Sequence, residues 1–169
     1  LSDFIKSDYY VVFGSSYIKG DLVDFLVDNK AINIHMGVSP YYRGTDCNFW
    51  ALYDNNPHLV GATIHLLSKG IDSGPILYHA MSNVLTNSFE YAMSTVKSAF
   101  DSLTEKINDN SILNMKTELQ NKSKEIRYSK KDEFNENIVE EFFKKKIKLN
   151  IKMFNNSLLQ KPFFLKNKY

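Results

Sequence analysis

Two short polar patterns in the first half of the chain have residue types that could do chemistry. One is Asn33 and His35 within Ile32-Asn33-Ile34-His35, and the other is Asp72 within Lys69-Gly70-Ile71-Asp72-Ser73-Gly74-Pro75. If Ile32 to His35 is a strand, its side chains alternate, so Asn33 and His35 share one face and Ile32 and Ile34 fill the other. A carboxamide and an imidazole side by side at the end of a buried strand can donate to an oxygen that gains charge and can carry a proton. A carboxylate brought to the imidazole would favour its charged form and fix its orientation. Each piece alone also has a plainer explanation. A histidine in a core can simply be satisfied there, a strand-end asparagine can cap a loop, and an aspartate between glycines can bond its own backbone in a turn. The functional reading depends on the three meeting in one cleft.

The elements that would position them are legible in outline. Tyr9 to Phe13 is a run of aromatic and β-branched residues, the pattern of a strand buried on both faces, which favours a parallel sheet. Gly14-Ser15-Ser16 makes a turn, and Ile18, Leu22, Phe25 and Leu26 then recur at helical spacing. Ala31 to His35 is a second buried strand opening into a loop with Gly37, Ser39 and Pro40. Asp46 to Asp54 has the size of a short helix, with Asp46 as its N-cap and Phe49, Trp50 and Tyr53 as its buried face. Val60 to Leu67 is a third strand, and the glycine-bounded loop with Asp72 follows it. In a β–α–β–α–β sheet the loops after the second and third strands open on the same edge, so Asn33, His35 and Asp72 are expected to face one cleft. Asn87 with Glu90 resembles a capping box, and Phe89, Met93, Val96, Phe100, Leu103 and Ile107 step by three or four, which predicts a long amphipathic helix. A further helix is expected around Asn135 to Lys146, with Ile138, Val139, Phe142 and Phe143 as its stripe. The last twenty residues place Phe154, Leu158, Leu159, Phe163, Phe164 and Leu165 among Asn and Lys without a period.

Composition narrows the classes. The 169 residues are 43% hydrophobic and 14% aromatic, enough for one core. No run approaches the roughly 20 apolar residues of a membrane helix, and the amino terminus lacks the order of a signal peptide, so a cytoplasmic protein without membrane contact is expected. Cys47 is the single cysteine, which excludes an internal disulfide and a multi-thiolate zinc site; a nucleophilic role for it is the weaker reading beside simple packing. Residues 1–115 hold 7 Lys/Arg against 12 Asp/Glu, and residues 116–169 hold 14 against 7. This basic final third reads as a solvated face and not as a specific nucleic-acid surface, because aromatic and basic residues are not interleaved there. A division into residues 1–110, carrying the chemistry, and 111–169, a lysine-rich helical extension, follows from the change of texture.

Four motifs in order make the pattern specific: Asn33-Ile34-His35, Ser39-Pro40-Tyr41-Tyr42-Arg43-Gly44, Gly61-Ala62-Thr63-Ile64-His65, and Gly70-Ile71-Asp72-Ser73-Gly74-Pro75-Ile76-Leu77. Together they resemble the 10-formyltetrahydrofolate-dependent formyltransferase family, which includes the methionyl-tRNA, glycinamide ribonucleotide and amino-sugar N-formyltransferases. The resemblance spans roughly residues 9 to 80. It implies an α/β, Rossmann-like three-layer domain with a mostly parallel sheet whose amino-terminal strands are missing, and so an uncovered sheet edge. It places the family's catalytic Asn, His and Asp on Asn33, His35 and Asp72. It implies 10-formyltetrahydrofolate as formyl donor and no metal, with Gly14, Ser15, Ser16, Gly70 and Ile71 lining the cofactor pocket. Met36-Gly37 stands where the family commonly has a proline after the histidine, and Ser68-Lys69 where it commonly has an acidic pair. The mixture of motifs most resembles enzymes acting on amino sugars, so the expected partner is a small sugar-linked amine; a homodimer is left open. His65 is assigned to structure or to bonding behind the reacting groups, and His58 and His79 receive no role. Rival readings are a non-catalytic folate- or protein-binding remnant, a methionyl-tRNA formyltransferase-like enzyme, and a formyltetrahydrofolate hydrolase.

Overall fold

The computed structural model describes residues 5–145, Ile147, Leu149 and 163–165. Its centre is a five-stranded sheet in the order β1 (Val11–Phe13), β2 (Ile32–His35), β4 (Ala62–Leu66), β5 (Ile76–Met81) and β7 (Phe163–Leu165). A second ribbon pairs β3 (Tyr42–Gly44) with β6 (Arg127–Ser129). The α/β layering matches expectation, and the sheet is mixed: β1 with β2 and β5 with β7 run parallel, while β4 runs antiparallel to both β2 and β5. β3, β5, β6 and β7 were not foreseen as strands. The second ribbon escapes a local reading because its two strands are three residues each and lie more than eighty residues apart.

Alternation divides the work of the sheet between its faces. Ile32, Ile34, Ala62, Ile64, Tyr78 and Ala80 form one buried cluster with Ala99 and Leu103 of α3 (Ser88–Asn108). On the opposite face Asn33 is paired with His65, and His35 with Thr63, which in turn faces His79. Five polar side chains therefore line up across three strands. Above β1, Leu26 of α1 (Asp21–Asp28) packs with Val12 and Ala31. α2 (Cys47–Tyr53) closes a third cluster with Val38, Tyr42, Leu59 and Tyr91.

Several expectations about burial are corrected. β1 is an edge strand among the described residues, and only its central Val12 is buried; Val11 is 46% and Phe13 44% exposed. α1 buries Val23 and Leu26 and leaves Leu22 exposed. Asp46 precedes α2 in left-handed conformation, and its side chain makes no capping bond. The helix buries Asn48, Ala51 and Leu52 with Trp50, leaving Phe49 and Tyr53 half-buried.

α3 begins where foreseen, and Asn87 accepts from the N–H groups of Phe89 and Glu90. Its buried face, however, is Tyr91, Thr95, Ser98, Ala99, Ser102 and Leu103, while Phe89, Met93 and Phe100 are exposed. Small residues win because α3 crosses directly over the sheet. Its hydroxyls find partners there: Ser98 donates to the Met81 carbonyl at 2.5 Å, and Ser102 bonds the Tyr78 hydroxyl at 3.1 Å.

α4 (Glu136–Lys144) is capped by Asn135; Ile138 and Phe142 pack on the α2 cluster and Phe143 is exposed. Before it, residues 115–129 run extended and in 3₁₀ turns back across the molecule. Apart from the strand at 163–165, the aromatic-rich last twenty residues lie outside the described residues.

Candidate active site

His65 is the key to the orientation of Asn33. Its Nδ1 lies 2.8 Å from the Leu66 carbonyl, which can only accept, so Nδ1 carries the proton. Burial pushes the ring down to about 4, so it is neutral and its Nε2 is a bare acceptor. Asn33 Nδ2, 2.9 Å away, therefore donates to it. That bond fixes which end of the amide is nitrogen, and one Nδ2 hydrogen remains for another partner. The structural or supporting role expected of His65 thus has a definite content. A signal for it was present in the sequence: Thr63-x-His65 alternates in the same phase as Asn33-x-His35.

His35 is constrained by the same logic. Its Nε2 donates to the Tyr42 carbonyl at 3.1 Å, which leaves Nδ1 as the nitrogen able to exchange a proton. Nδ1 faces Asp72 Oδ2 at 3.4 Å. The loop after the histidine is locked beneath the ring. Thr63 Oγ1 donates to the Gly37 carbonyl at 2.6 Å and accepts from the Ser39 N–H at 2.8 Å, and His79 Nε2 donates to the Ser39 carbonyl at 2.7 Å. Gly37 is required by close approach: a Cβ there would stand 2.5 Å from Cys47 Cβ and 2.6 Å from His35 Nε2. This answers the departure at Met36-Gly37, since His79, given no role from sequence, holds this loop.

Asp72 reaches His35 by an unexpected route. Because β4 is antiparallel to β2, with Ile32 opposite Leu66, the loop after β4 leaves from the far end of the sheet and not from the edge shared with His35. Residues 67–75 then fold back over the polar face. Asp72 takes a left-handed conformation, φ 45°, which aspartate tolerates better than most residues. The loop is tied from outside. Arg43 Nη2 donates to the Ile71 carbonyl at 2.7 Å, and Gln120 Nε2 donates to the carbonyls of Asp72 and Gly74, both at 2.8 Å.

The trio opens on a cleft of about 580 Å³. Gly14, Ser15, Ser16, Gly70 and Ile71, expected to line a cofactor pocket, all border it, with Phe13, Ile18 and Leu67 as apolar wall. Tyr128 to Lys131, which sequence reasoning left in the basic extension, close one side. They arrive there because Ser129, the last residue of β6, lies against Gly44; its hydroxyl donates to the carbonyls of Arg43 and Thr45. A flat body such as a pterin fits between the apolar walls, with the Asn33 amide and the His35–Asp72 pair on the floor beside it. Among the described residues no group of three or more His, Cys, Asp or Glu could hold a metal ion. No helix there is long and apolar enough to cross a membrane.

The fold is thus a mixed α/β sheet with Asn33, His35 and Asp72 gathered over one face. A family model described as formyl transferase matches residues 5–112, and the chain belongs to that family. Among solved structures, it resembles a 4-N formyltransferase from Francisella tularensis, at 28% identity and TM-score 0.59, over 75% of this chain and 51% of that one. It also resembles a sugar N-formyltransferase from a Shewanella species, at 28% identity and TM-score 0.53, over 64% and 44% of the two chains. The same fold occurs in a formyltransferase from Anoxybacillus kamchatkensis in complex with UDP-4,6-dideoxy-4-formamido-L-AltNAc and tetrahydrofolate, at 24% identity and TM-score 0.59, over 77% and 68%. The chain thus spans about half the length of the Francisella and Shewanella proteins.

Proposed function

We propose that the protein transfers a formyl group from 10-formyltetrahydrofolate to the primary amine of a cytoplasmic amino sugar or sugar nucleotide. The observation that carries this reading is the 3.4 Å approach of Asp72 Oδ2 to His35 Nδ1 beside the oriented Asn33 amide. The sugar acceptor is supported by the two 28%-identical relatives, one a 4-N and the other a sugar N-formyltransferase. Residues 1–110 hold the reacting side chains, and the lysine-rich 111–169 serves as an extension without specific nucleic-acid binding.

Bound in the cleft, the folate supplies an activated formyl group. The remaining Nδ2 hydrogen of Asn33 donates to the oxygen that gains charge as the amine adds. With Nε2 held by the Tyr42 carbonyl, His35 works through Nδ1 alone: it donates toward that oxygen or hands its proton to Asp72, but not both at once. While charged, Asp72 stabilises the protonated ring; it then accepts the proton that the attacking nitrogen releases and passes it to the folate nitrogen as that nitrogen's bond to the formyl carbon breaks. Gly14 to Ser16 and Gly70 to Ile71 shape the walls around the formyl donor.

The test is formyl transfer to an amino-sugar nucleotide, followed by release of tetrahydrofolate. Asn33→Ala is expected to lower turnover by about 10²–10³, and His35→Ala by about 10²–10⁴. Asp72→Asn should lower turnover steeply while folate affinity and melting temperature hold. The double variant His35→Ala/Asp72→Asn should be hardly worse than the poorer single one, since both act on one proton. Full activity in Asp72→Asn would sink the reading.

A further inference from the structure

The loop that carries Asp72 has few anchors of its own. Ser68 bonds Gly70 and Ser73 within the loop, and Tyr17 donates to the Lys69 carbonyl at its start. Around Asp72 itself, three carbonyls of four consecutive residues, those of Ile71, Asp72 and Gly74, are taken by side chains from elsewhere. Two are taken by Gln120. The third goes to Arg43, whose guanidinium is in turn paired through Nη1 with Glu125 at 2.9 Å. Gln120 and Glu125 belong to the segment that follows the family-matched residues 5–112. That segment is itself fastened at both ends. Glu118 exchanges two backbone hydrogen bonds with Ile76. Further on, the N–H groups of Ile126 and Arg127 both donate to the Tyr41 carbonyl, and the Arg127 side chain makes a two-point bridge to Asp54 at 2.9 and 3.0 Å.

We infer that residues 118–125 form a strap that sets the position of the Asp72 carboxylate, with Gln120 and Glu125 as positioning residues and Arg43 as the link between Glu125 and the loop. The amide of Gln120 has one workable orientation, since two carbonyl oxygens demand its nitrogen. Its buried Oε1 has no partner among the described residues, so the clamp acts through nitrogen alone. Arg43 is 9% exposed and reaches the loop only at the Ile71 carbonyl, directly before Asp72. A displacement of about 1 Å in such a carboxylate can cost on the order of 10² in rate. The strap therefore acts on the reaction without touching any reacting atom.

The inference rests on Asp72 being the reacting carboxylate, and the experiment separates the two. Gln120→Glu keeps the shape of the side chain but sets an acceptor-only group against two carbonyls. Backbone amide exchange read by mass spectrometry should then accelerate about tenfold or more in peptides covering 69–75, the loss of one or two hydrogen bonds. Peptides of β2 and α3 should be unchanged. Turnover in formyl transfer should fall by about 10–10², with the KM for the formyl donor moved less than about threefold. Glu125→Gln, which still offers an oxygen to Arg43, should stay within about threefold of the parent, whereas Glu125→Leu should loosen the loop and slow turnover in the same sense. This pair decides the matter if Gln120→Glu does not fold. Unchanged exchange at 69–75 overturns the inference, and so does a loosened loop with undiminished turnover. Asp72→Asn, assayed alongside, tells whether the carboxylate matters at all, so a failure of the strap is distinguishable from a failure of the proposed reaction.

Discussion

The loop after β2 and the loop after β4 bring His35 and Asp72 together, yet they are held by opposite means. The first, from Met36 to Tyr41, is fixed from within by groups on the sheet beneath it. Thr63, Ser39 and His79 are fully buried, and their bonds never leave the core. The second crosses the sheet face and is fixed by side chains from other segments, the buried Arg43 of β3 and Gln120, with Glu125 behind Arg43 keeping 30% side-chain exposure. A buried network is over-determined, because each partner is also packed. A strap is held by a few discrete bonds. Disturbing the first should therefore damage folding and chemistry together, while disturbing the second should damage chemistry alone.

Gly37→Ala gives the largest expected effect on the buried side of that comparison. The new methyl group would overlap both Cys47 Cβ and His35 Nε2, and the imidazole is held at both nitrogens, by the Tyr42 carbonyl and by Asp72. Overpacking of this kind costs about 1–3 kcal/mol. The displaced imidazole should lower turnover by about 10² or more. Thermal melting and transfer assays should thus fall in step for Gly37→Ala and diverge for Gln120→Glu. If Gly37→Ala lost activity with an unaltered melting temperature, the distinction between the two loops would collapse.

The same contrast explains how much could be read in advance. Asn33, His35 and Asp72 were legible because strand alternation and glycine-bounded turns are local patterns. Gly14 to Ser16 and Gly70 and Ile71, which only the family resemblance marked as pocket walls, border the same cleft. The route by which Asp72 arrives was not legible, because strand direction depends on pairing: β4 turned out antiparallel to β2, and the loop had to fold back. Nor was the face of α3 legible. Phe89, Met93 and Phe100 make a convincing apolar stripe, but close packing on the sheet selected Thr95, Ser98, Ala99 and Ser102 instead. Gln120 and Glu125 lie in polar text, with partners 46 to 82 residues away, and no short-range signal marks them.

His65 stands where the two loops meet, and acid should expose its contribution. An unfolded histidine titrates near 6.5, whereas burial holds this one down to about 4. Between those values the unfolded chain binds a proton that the folded one refuses, so acidification favours unfolding. The stabilisation is complete above pH about 6.5 and is lost as pH falls toward 4, a change on the order of 3 kcal/mol. His58, lowered by its own partial burial, adds a slope of the same sign. Urea unfolding at pH 7, 5.5 and 4.5 should show the trend, and His65→Gln, which keeps an acceptor for Asn33, should flatten it. An unchanged slope in that variant would mean that other groups carry the acid sensitivity.

The smallest effect is expected at Cys47, and it probes the buried loop most directly. The thiol is 1% exposed, donates weakly to the Gly44 carbonyl at 3.6 Å, and burial raises it well above the ordinary thiol range. Such a group has almost no thiolate at neutral pH, so it is neither a nucleophile for transfer nor a target for alkylation in the folded state. Cys47→Ser preserves the shape and can still donate to Gly44, and it should keep turnover within about threefold and stability within about 1 kcal/mol. In the parent protein, iodoacetamide should react with Cys47 only as fast as the chain unfolds, because the loop over it is locked by core groups. The labelling rate should rise in Gly37→Ala, where that lock is sprung, and stay unchanged in Gln120→Glu, where only the outer strap is cut. Equal labelling rates in the two variants would show that the loops move as one body, and that His35 and Asp72 are held by a common device and not by two.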